Sequence, residues 1–383
     1  MVSTITPELL RQRLLDDGQL VIVDTRDESS FESWHLPNAV NYPFTPDESI
    51  DAEVFAEATG TGPDDEIVTV CAKGKSSSAV VTELEHAGYT DVAVLQDGME
   101  GWSRLYEIAA IPTVATALEI FQVQRVAKGC LGYVVGTPRT GEAIVVDPTR
   151  HLDEFQWVVD DDDMEIVRVI DTHIHADHIS GGRNLADETG ATYHLPATAR
   201  DRDPAIEYTP LHRNEVIQLG DVEIKAVATP GHTTESMSLL VGAEAIITGD
   251  TLFVDGVGRT ELQYGDNEAA SGARQLYDSI HGSILSLPDD VTVLPGHFDP
   301  EAEAVLERVG TPISAPIRDL RTRNGLLAEP KESFVDQLVD RLPEKPPNYE
   351  RLISINTGIE SPDDDQEATE MELGPNRCAV EAD

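Results

Sequence analysis

Four potential metal ligands fall within the six-residue run HIHADH at 173–178. Imidazoles two positions apart on an extended segment, His173 and His175, can converge on one cation. Asp177 and His178 are then available to a second cation. Neutral imidazole and carboxylate suit Zn, Fe or Mn. The run therefore predicts a metal site, and the alternative is a solvated polar loop after a strand.

Three further potential ligands each end an apolar run. His232 closes TPGH, Asp250 closes ITGD and His297 closes LPGH. Because these residues follow predicted strands, they can meet the HIHADH run at one edge of a sheet. The neighbouring Gly and Pro residues permit the tight turns that aim a side chain inward. The spacing thus predicts one composite metal centre.

A second reactive group is the thiol of Cys71, which stands between a predicted strand and the start of a predicted helix. Backbone N–H groups and the helix dipole at such a place stabilise a thiolate. Gly74 lets the loop curl into a cradle for an anion, with Lys73, Lys75 and Ser76 beside it. We expect an anionic ligand here, and the alternative is a buried structural cysteine beside a solvated turn.

The elements that must position these groups form two α/β blocks. In the first, short apolar runs predict strands at 20–26, 66–71 and 91–98, with a helix at 76–89. Strand, helix and strand in this order indicate a parallel βαβ unit. In the second, strands are predicted at 121–126, 131–136, 142–148, 166–173, 222–232, 244–250 and 291–297.

The predicted organisation is α/β throughout the folded part of the chain. A first domain spans 1–107 and a second spans 121–358, joined by a connector at 108–120 that Pro112 interrupts. Residues 359–383 are charged and lack periodicity, so we expect a disordered acidic tail.

Composition limits the classes of partner. The 383 residues include 71 acidic and 27 basic ones, for a formal charge of −44. This charge argues against nucleic acid and anionic membranes as partners, and it is typical of adaptation to high salt. Three cysteines cannot build a disulfide framework, and neither a signal peptide nor a membrane span is visible. We therefore expect a cytoplasmic protein, and leave open whether it forms a homo-oligomer.

The first block resembles a rhodanese domain over about residues 5–107. The segments VDTRDESSFESWHLPNAVNYPF and LQDGMEGW carry this resemblance, and the loop CAKGKSS is similar to that of single-domain thiosulfate sulfurtransferases. The resemblance implies that Cys71 attacks the outer sulfur of a donor and holds it as a persulfide. Thiosulfate or sulfite would then be a partner. A domain that is inactive and only binds partners remains an alternative.

The second block resembles the metallo-β-lactamase superfamily over about 121–358. THIHADHISGG, TPGHTTESMSLL, ITGDTLF and LPGH carry the resemblance, which implies an αββα sandwich with the metal site at the sheet edges. THIHADHISG, GVGRTEL and PPNYERLISIN further resemble the persulfide dioxygenases of the ethylmalonic-encephalopathy protein family. The family's usual GHDY is GHFD here, which leaves contacts beside His297 open.

That closer resemblance implies one Fe(II) held by His173, His232 and Asp250, a triad with open positions for substrate and O2. A low-molecular-weight thiol persulfide would be oxidised to sulfite and thiol. The remaining members of the constellation would surround this metal or form a second position: His175, Asp177, His178 and His297. Arg259 would contact a carboxylate of the thiol carrier, or alternatively pack as a structural residue. Cys130 is expected to be a small buried hydrophobic residue.

The leading hypothesis is a fusion enzyme of sulfur metabolism, because both halves would handle sulfane sulfur. The alternative is a thioester hydrolase of the hydroxyacylglutathione hydrolase (glyoxalase II) type, with two Zn or mixed metals. There His173, His175 and His232 would bind one ion. The other ion would be held by Asp177, His178 and His297, with Asp250 bridging. A scaffold protein with degenerate sites is a third class.

Overall fold

A computed structural model describes residues 2–15, 20–45, 48–300, 309–374 and 378–381 of the chain. All statements below about its elements and contacts concern these residues.

The first domain is built on a parallel sheet with helices on both faces. Its strands are β1 Thr4–Ile5, β2 Val21–Asp24, β3 Val40–Asn41, β4 Ile67–Val70 and β5 Val92–Leu95. Its helices are α1 Pro7–Leu15, α2 Glu28–Ser33, α3 Ala52–Thr59, α4 Lys75–His86 and α5 Gly98–Trp102. The strand order is β1-β5-β4-β2-β3, and every pairing is parallel. Apolar clusters cover both faces, as is usual for a parallel sheet with helices on each side.

The predicted fold of this domain is confirmed. The three predicted strands coincide with β2, β4 and β5, and the predicted helix at 76–89 coincides with α4. Parallel strands β4 and β5, joined by α4, form the expected βαβ unit. Cys71 therefore follows the carboxyl end of a central strand, where parallel sheets commonly bind ligands.

The second domain contains two mixed sheets packed face to face. The strands of the first sheet are β6 Tyr106–Ile111, β7 Glu119–Arg125, β8 Cys130–Thr137, β9 Glu142–Val146, β10 Glu165–Ile170, β11 Thr192–Pro196 and β12 Thr209–Leu211. The remaining strands are β13 Val216–Leu219, β14 Val222–Ala228, β15 Met237–Val241, β16 Ala245–Gly249, β17 Gly256–Gly258, β18 Thr292–Pro295, β19 Ala315–Pro316 and β20 Ala379–Glu381. The first sheet has the order β12-β11-β10-β9-β8-β7-β6 and the second β13-β14-β15-β16-β18-β19, while β17 and β20 form a separate two-stranded pair.

Helices cover the outer face of each sheet and complete the αββα sandwich. They are α6 Asp153–Asp161, α7 Gly182–Thr189, α8 Glu261–Tyr264, α9 Ala269–Ser279, α10 Ile317–Arg323, α11 Lys331–Asp340, α12 Tyr349–Asn356 and α13 Asp365–Glu372. One apolar cluster lies between the sheets and includes Ile144 and Ile247. Two others lie beneath the helices and include Phe155 and Leu276. The predicted fold class is confirmed for both domains.

The prediction of a connector at 108–120 needs correction. Residues 106–111 form β6, which pairs with β7 from Tyr106 opposite Arg125 to Ile111 opposite Ile120. Pro112 begins the turn instead of interrupting a helix. Alternate side chains of β6 are buried, and buried Glu107 pairs with Arg11 of the first domain at 2.8 Å. The segment is thus an edge strand that also ties the domains together.

The prediction of a disordered tail also needs correction. Residues 365–372 form α13, which Asp364 caps by accepting a hydrogen bond from the Glu367 N–H. Residues 379–381 form β20, which pairs with β17. The charge of the segment misled the prediction, because its carboxylates meet arginines contributed by distant parts of the chain. Residues 375–377, 382 and 383 lie outside the described residues.

Within the described residues, no helix is both long and apolar enough to cross a membrane.

Candidate metal centre and thiol loop

The potential ligands gather where strands of the two sheets end. The HIHADH run follows β10, while His232 follows β14, Asp250 follows β16 and His297 follows β18. Gly249 precedes Asp250 with a φ of 48°, a conformation that favours glycine. A Cβ atom there would come within 2.4 Å of Thr172 Oγ1. This glycine therefore lets two ligand-bearing turns approach each other.

Three of the predicted ligands converge. Coordinating atoms of His173, His232 and Asp250 all lie within 4.8 Å of one another. Asp250 Oδ2 is 3.7 Å from His173 Nε2 and 3.5 Å from His232 Nε2. All three side chains are at most 2% exposed. Among the described residues, neither His173 Nε2 nor Asp250 Oδ2 has a hydrogen-bond partner. Buried polar atoms rarely remain unpaired, so these donors fit a cation held between them.

The other atoms of these ligands are hydrogen-bonded, which orients each side chain. His232 Nδ1 donates to the Arg259 carbonyl oxygen over 2.7 Å, and His297 Nδ1 donates to Asp250 Oδ1 over 2.6 Å. Partners of this kind fix the ring orientation and tautomer of a metal ligand. The site therefore keeps Nε2 of His232 and Oδ2 of Asp250 available.

His173 is oriented by two residues that the sequence reasoning missed. Thr172 Oγ1 donates to Asp147 Oδ2 over 2.8 Å and accepts from His173 Nδ1 over 2.9 Å. Asp147 also accepts from the Thr172 N–H over 2.6 Å. The sequence feature that could have indicated Asp147 is its position directly after β9, near the end of the apolar run EAIVVDP. This chain of bonds leaves the lone pair of His173 Nε2 facing the site.

Electrostatics favour the ligand forms of these groups. Burial, reinforced by nearby His175, holds the pKa of His173 well below its ordinary value, so the ring is neutral. Burial opposes ionisation of Asp250, but His297 outweighs it and lowers the pKa of Asp250. A neutral imidazole and an ionised carboxylate are the forms that bind a metal.

His175 is not brought into this group. Its Nε2 lies 3.3 Å from Asp147 Oδ1, and it forms a separate group with Asp147 and Asp171. The neighbouring histidine of the motif thus faces a different carboxylate pair.

The remaining predicted residues form a second group around Asp177, in which Nε2 of His178 and Nε2 of His297 have no hydrogen-bond partner among the described residues. Asp177 Oδ2 lies 3.1 Å from His178 Nδ1 and 2.9 Å from His297 Nε2. Cys130 Sγ donates to the same carboxylate oxygen over 3.6 Å. Burial opposes protonation, but Asp177 raises the pKa of His178 well above its ordinary value. Cys130 is buried, as expected, yet its neighbours are polar because β8 begins against the metal-centre loops.

Arg259 has buried partners within the fold. Its guanidinium donates to the carboxylate of Glu261 and to the carbonyl oxygens of Pro343 and Glu344. The side chain is 1% exposed. This arrangement favours the structural alternative, since its carbonyl orients His232 while its guanidinium ties β17 to the segment before α12.

The thiol loop has the expected backbone. Cys71 follows β4 and is 3% exposed. Gly74 precedes α4 with a φ of 73°, which supplies the curl expected from the sequence. The Cys71 carbonyl oxygen accepts from the Met99 N–H over 2.9 Å, so the DGMEGW segment supports the loop.

The charges of this loop differ from the expectation. Lys73 Nζ lies 3.0 Å from Glu100 and 3.1 Å from Glu370, and Glu100 chiefly raises the pKa of Lys73. Lys73 is thus engaged by carboxylates. The side chains of Lys75 and Ser76 lie outside what the structure describes. Ser77 Oγ is buried without a partner among the described residues. The serine-rich sequence of this loop is the feature that could have indicated Ser77.

Two protein families match this sequence. The family described as "Rhodanese-like domain" matches residues 6–105, and the family described as "Metallo-beta-lactamase superfamily" matches residues 127–297. These ranges contain the thiol loop and the predicted metal ligands, respectively.

Individual relatives fall on the second domain. The chain is 33% identical to a hydroxyacylglutathione hydrolase of Polaromonas sp. (strain JS666 / ATCC BAA-500), over 43% of this chain and only 60% of that protein. It is 26% identical to the mitochondrial persulfide dioxygenase ETHE1 of Mus musculus, over 60% of this chain and 85% of that protein. The solved structure of ETHE1 from Myxococcus xanthus is 27% identical, with a TM-score of 0.54, and covers 62% of this chain and 97% of that one.

Proposed function

Because this chain belongs to the metallo-beta-lactamase superfamily and carries a rhodanese domain at its N-terminus, we propose that it is a persulfide dioxygenase with a sulfurtransferase domain. A thiol persulfide, O2 and water would yield the thiol and sulfite. The thiol is of low molecular weight, and its identity is left to experiment.

One observation carries this proposal. Coordinating atoms of the two-histidine, one-aspartate group of His173, His232 and Asp250 lie within 4.8 Å of one another, and His173 Nε2 and Asp250 Oδ2 have no hydrogen-bond partner among the described residues. This donor set is typical of mononuclear non-haem iron sites. His173, His232 and Asp250 would hold Fe(II), which would supply the redox chemistry by which O2 oxidises a persulfide sulfur.

The residues around the triad have supporting roles. Thr172, the Arg259 carbonyl and His297 hold the three ligands in orientation. The burial of the centre excludes bulk water, which protects a reactive sulfur species from side reactions.

The second candidate function is the dinuclear thioester hydrolase. The relative from Polaromonas favours it, and every residue of a two-metal set is present. Ligand atoms of Asp177, His178 and His297 also lie within 4.8 Å of one another, as a second ion requires. His175 weighs against it, because its ligand atoms group with Asp147 and Asp171 and not with His173 and His232.

The rhodanese half would act through Cys71. Its thiolate attacks the sulfane sulfur of thiosulfate, the sulfur–sulfur bond of the donor breaks, and sulfite leaves with the electron pair. The reverse step passes sulfur from the Cys71 persulfide to sulfite. Sulfite made at the metal centre is therefore an acceptor for the thiol loop, which links the two domains chemically.

The direct experiment uses the full chain loaded with Fe(II) under anaerobic conditions. Glutathione persulfide is added with O2, and O2 uptake and sulfite are followed together. We expect equal amounts of O2 consumed and sulfite formed. Absence of O2 uptake with iron bound contradicts the proposal, and hydrolysis of a glutathione thioester by the same preparation would favour the second candidate.

A further inference from the structure

The C-terminal segment runs beside the metal centre. We call its described residues, 359–374 and 378–381, the C-terminal strap. It contains α13, which packs through Ala368 and Met371 against Ile179 and Leu352. It also contains β20, which pairs with β17. The strap thus contacts the loop that follows the HIHADH run and the loop that follows Asp250.

A buried carboxylate anchors the helical half of the strap. Glu372 Oε2 accepts from Arg125 over 3.0 Å and from Arg150 over 2.8 Å. Its Oε1 accepts from the Ile179 N–H over 2.7 Å. Ile179 directly follows the HIHADH run, so this bond joins the strap to the loop that carries the ligands.

Backbone bonds hold the second half at the opposite side. Ala379 lies opposite Gly258 in the β17–β20 pair, and the Arg259 N–H donates to the Cys378 carbonyl oxygen over 3.0 Å. The Arg259 carbonyl in turn orients His232. Cys378 is therefore placed by the same short segment that positions a metal ligand.

This placement puts a thiol beside the metal centre. Cys378 is 1% exposed, and its Sγ lies with ligand atoms of Asp250 and His297 inside a group whose members are all within 4.8 Å of one another. The group does not include His173 or His232. Asp250 Oδ2 and His297 Nε2 have no hydrogen-bond partner in the described chain. The thiol is thus a buried neighbour of Asp250, one member of the triad.

We propose that Cys378 carries sulfane sulfur to the metal centre as a protein persulfide, an inference that rests on the proposed dioxygenase function. A sulfur atom bonded to Sγ extends the side chain by about 2.05 Å. Because Sγ already lies within 4.8 Å of a ligand atom of Asp250, that extension would let an outer sulfur reach the triad. The substrate oxidised would then be a persulfide of the chain itself.

The short strand pair provides the entry. β17 and β20 pair over three residues, whereas α13 is held by buried ion pairs. Local opening starts at such weakly held elements. Opening of this pair exposes Cys378 to a donor, and closing returns it to the centre.

The sulfur chemistry balances with the reactants already named. The Cys378 thiolate attacks the outer sulfur of a donor persulfide, a new sulfur–sulfur bond forms, and the donor's bond breaks to release its thiolate, which takes up a proton. O2 then accepts four electrons from the outer sulfur. Two oxygen atoms come from O2 and the third from water, so sulfite leaves and the Cys378 thiol is regenerated.

The test follows sulfur on the full-length, iron-loaded protein by peptide mass spectrometry. The protein is treated anaerobically with glutathione persulfide, freed of excess reagent, and then given O2. We expect the Cys378 peptide to gain one sulfur atom and to lose it with O2 as sulfite appears. The Cys130 peptide in the same digest should gain none, and a Cys71→Ser background should leave the Cys378 result unchanged.

Activity of the variants supplies the second arm. Cys378→Ser and Cys378→Ala, checked for iron content and thermal unfolding, should lose persulfide-dependent O2 uptake by roughly tenfold or more if the carrier step is needed. Absence of sulfur on Cys378 overturns the inference. Unchanged or faster O2 uptake by both variants also overturns the inference. In that case the strap only covers the metal centre, and the proposed dioxygenase function is unaffected. Sulfur on Cys378 without O2 uptake by the wild type supports the carrier and contradicts the dioxygenase.

Discussion

Neighbouring histidines of one motif have different surroundings. His173 faces His232 and Asp250, whereas His175 faces Asp147. The motif alone assigns both rings equally to a metal. The difference arises because Thr172 and Asp147 fix the first ring, and Asp147 also lies beside the second.

Substitution of these two histidines separates the candidate functions. We expect His173→Ala to lose iron and nearly all persulfide-dependent O2 uptake, because one of three ligands is removed. His175→Ala should retain iron and most O2 uptake. Metal analysis and an oxygen electrode measure both variants. Equal loss of metal by the two would contradict the assignment of three ligands and favour a dinuclear centre.

Cys71 provides an independent prediction at the same scale. Cys71→Ser should abolish sulfur transfer from thiosulfate, because a serine hydroxyl cannot hold sulfane sulfur as a persulfide. O2 uptake with a low-molecular-weight persulfide should persist, since the thiol loop lies in the other domain. A sulfurtransferase assay beside the oxygen electrode tests this. Loss of both activities would be incompatible with two separately acting sites.

At the scale of elements, the strap is joined to the rest of the chain by charge. Glu372 is fully buried with Arg125 and lies 2.8 Å from Arg150 Nε. Although burial opposes ionisation, these arginines hold the pKa of Glu372 well below its usual 4.5. A buried carboxylate therefore acts together with the apolar contacts of Ala368 and Met371 to determine where α13 docks.

Removing this charge should loosen the strap. Glu372→Gln leaves two arginines without their buried partner, and breaking such a pair costs about 3–5 kcal/mol of folding free energy. Denaturant unfolding and hydrogen exchange of residues 359–381 measure the effect. The control is Glu370→Gln, whose exposed pairing with Lys73 should contribute nothing measurable. Equal stability of wild type and Glu372→Gln would contradict the anchoring role.

The same pair has a predicted pH dependence. A carboxyl group with a lowered pKa stabilises the fold at pH values above its unfolded pKa, and this stabilisation is lost as the pH falls towards the folded pKa. Wild-type stability should thus decrease below about pH 4.5 more steeply than that of Glu372→Gln. Acid titrations of the two proteins, followed by circular dichroism, compare how steeply their stability falls with pH. Identical slopes would contradict the stabilising role of this pair.

Comparison of the predicted and observed elements shows which features of the structure could be predicted from the sequence. Apolar runs ending in Asp or His predicted strands that do end at the metal centre, because that pattern is local. The pairing of Glu372 with Arg125 and of Lys73 with Glu370 joins residues far apart in sequence. No local pattern indicates such contacts. The sequence therefore predicted a disordered tail in place of the strap, and it predicted that Lys73 lies beside a bound anion. The side-chain direction of His175 likewise depends on Asp147, which precedes it by 28 positions.

At the scale of the whole molecule, the formal charge of −44 is the dominant feature. Self-repulsion of this size opposes a compact state, and salt screens it. The Debye length falls from about 10 Å at 0.1 M to about 3 Å at 1 M salt. The melting temperature should therefore rise with KCl concentration over this range. A melting temperature that is constant or falls with KCl would contradict adaptation to high salt.

The central claim concerns a single iron site that oxidises persulfide sulfur. It is tested most directly by O2 uptake with glutathione persulfide, measured as Fe(II) is added stepwise to the metal-free protein. We predict that uptake rises linearly and reaches its plateau at one iron per chain, with sulfite formed in equal amount. A plateau at two metal ions per chain, or no persulfide-dependent uptake at any iron content, would contradict it.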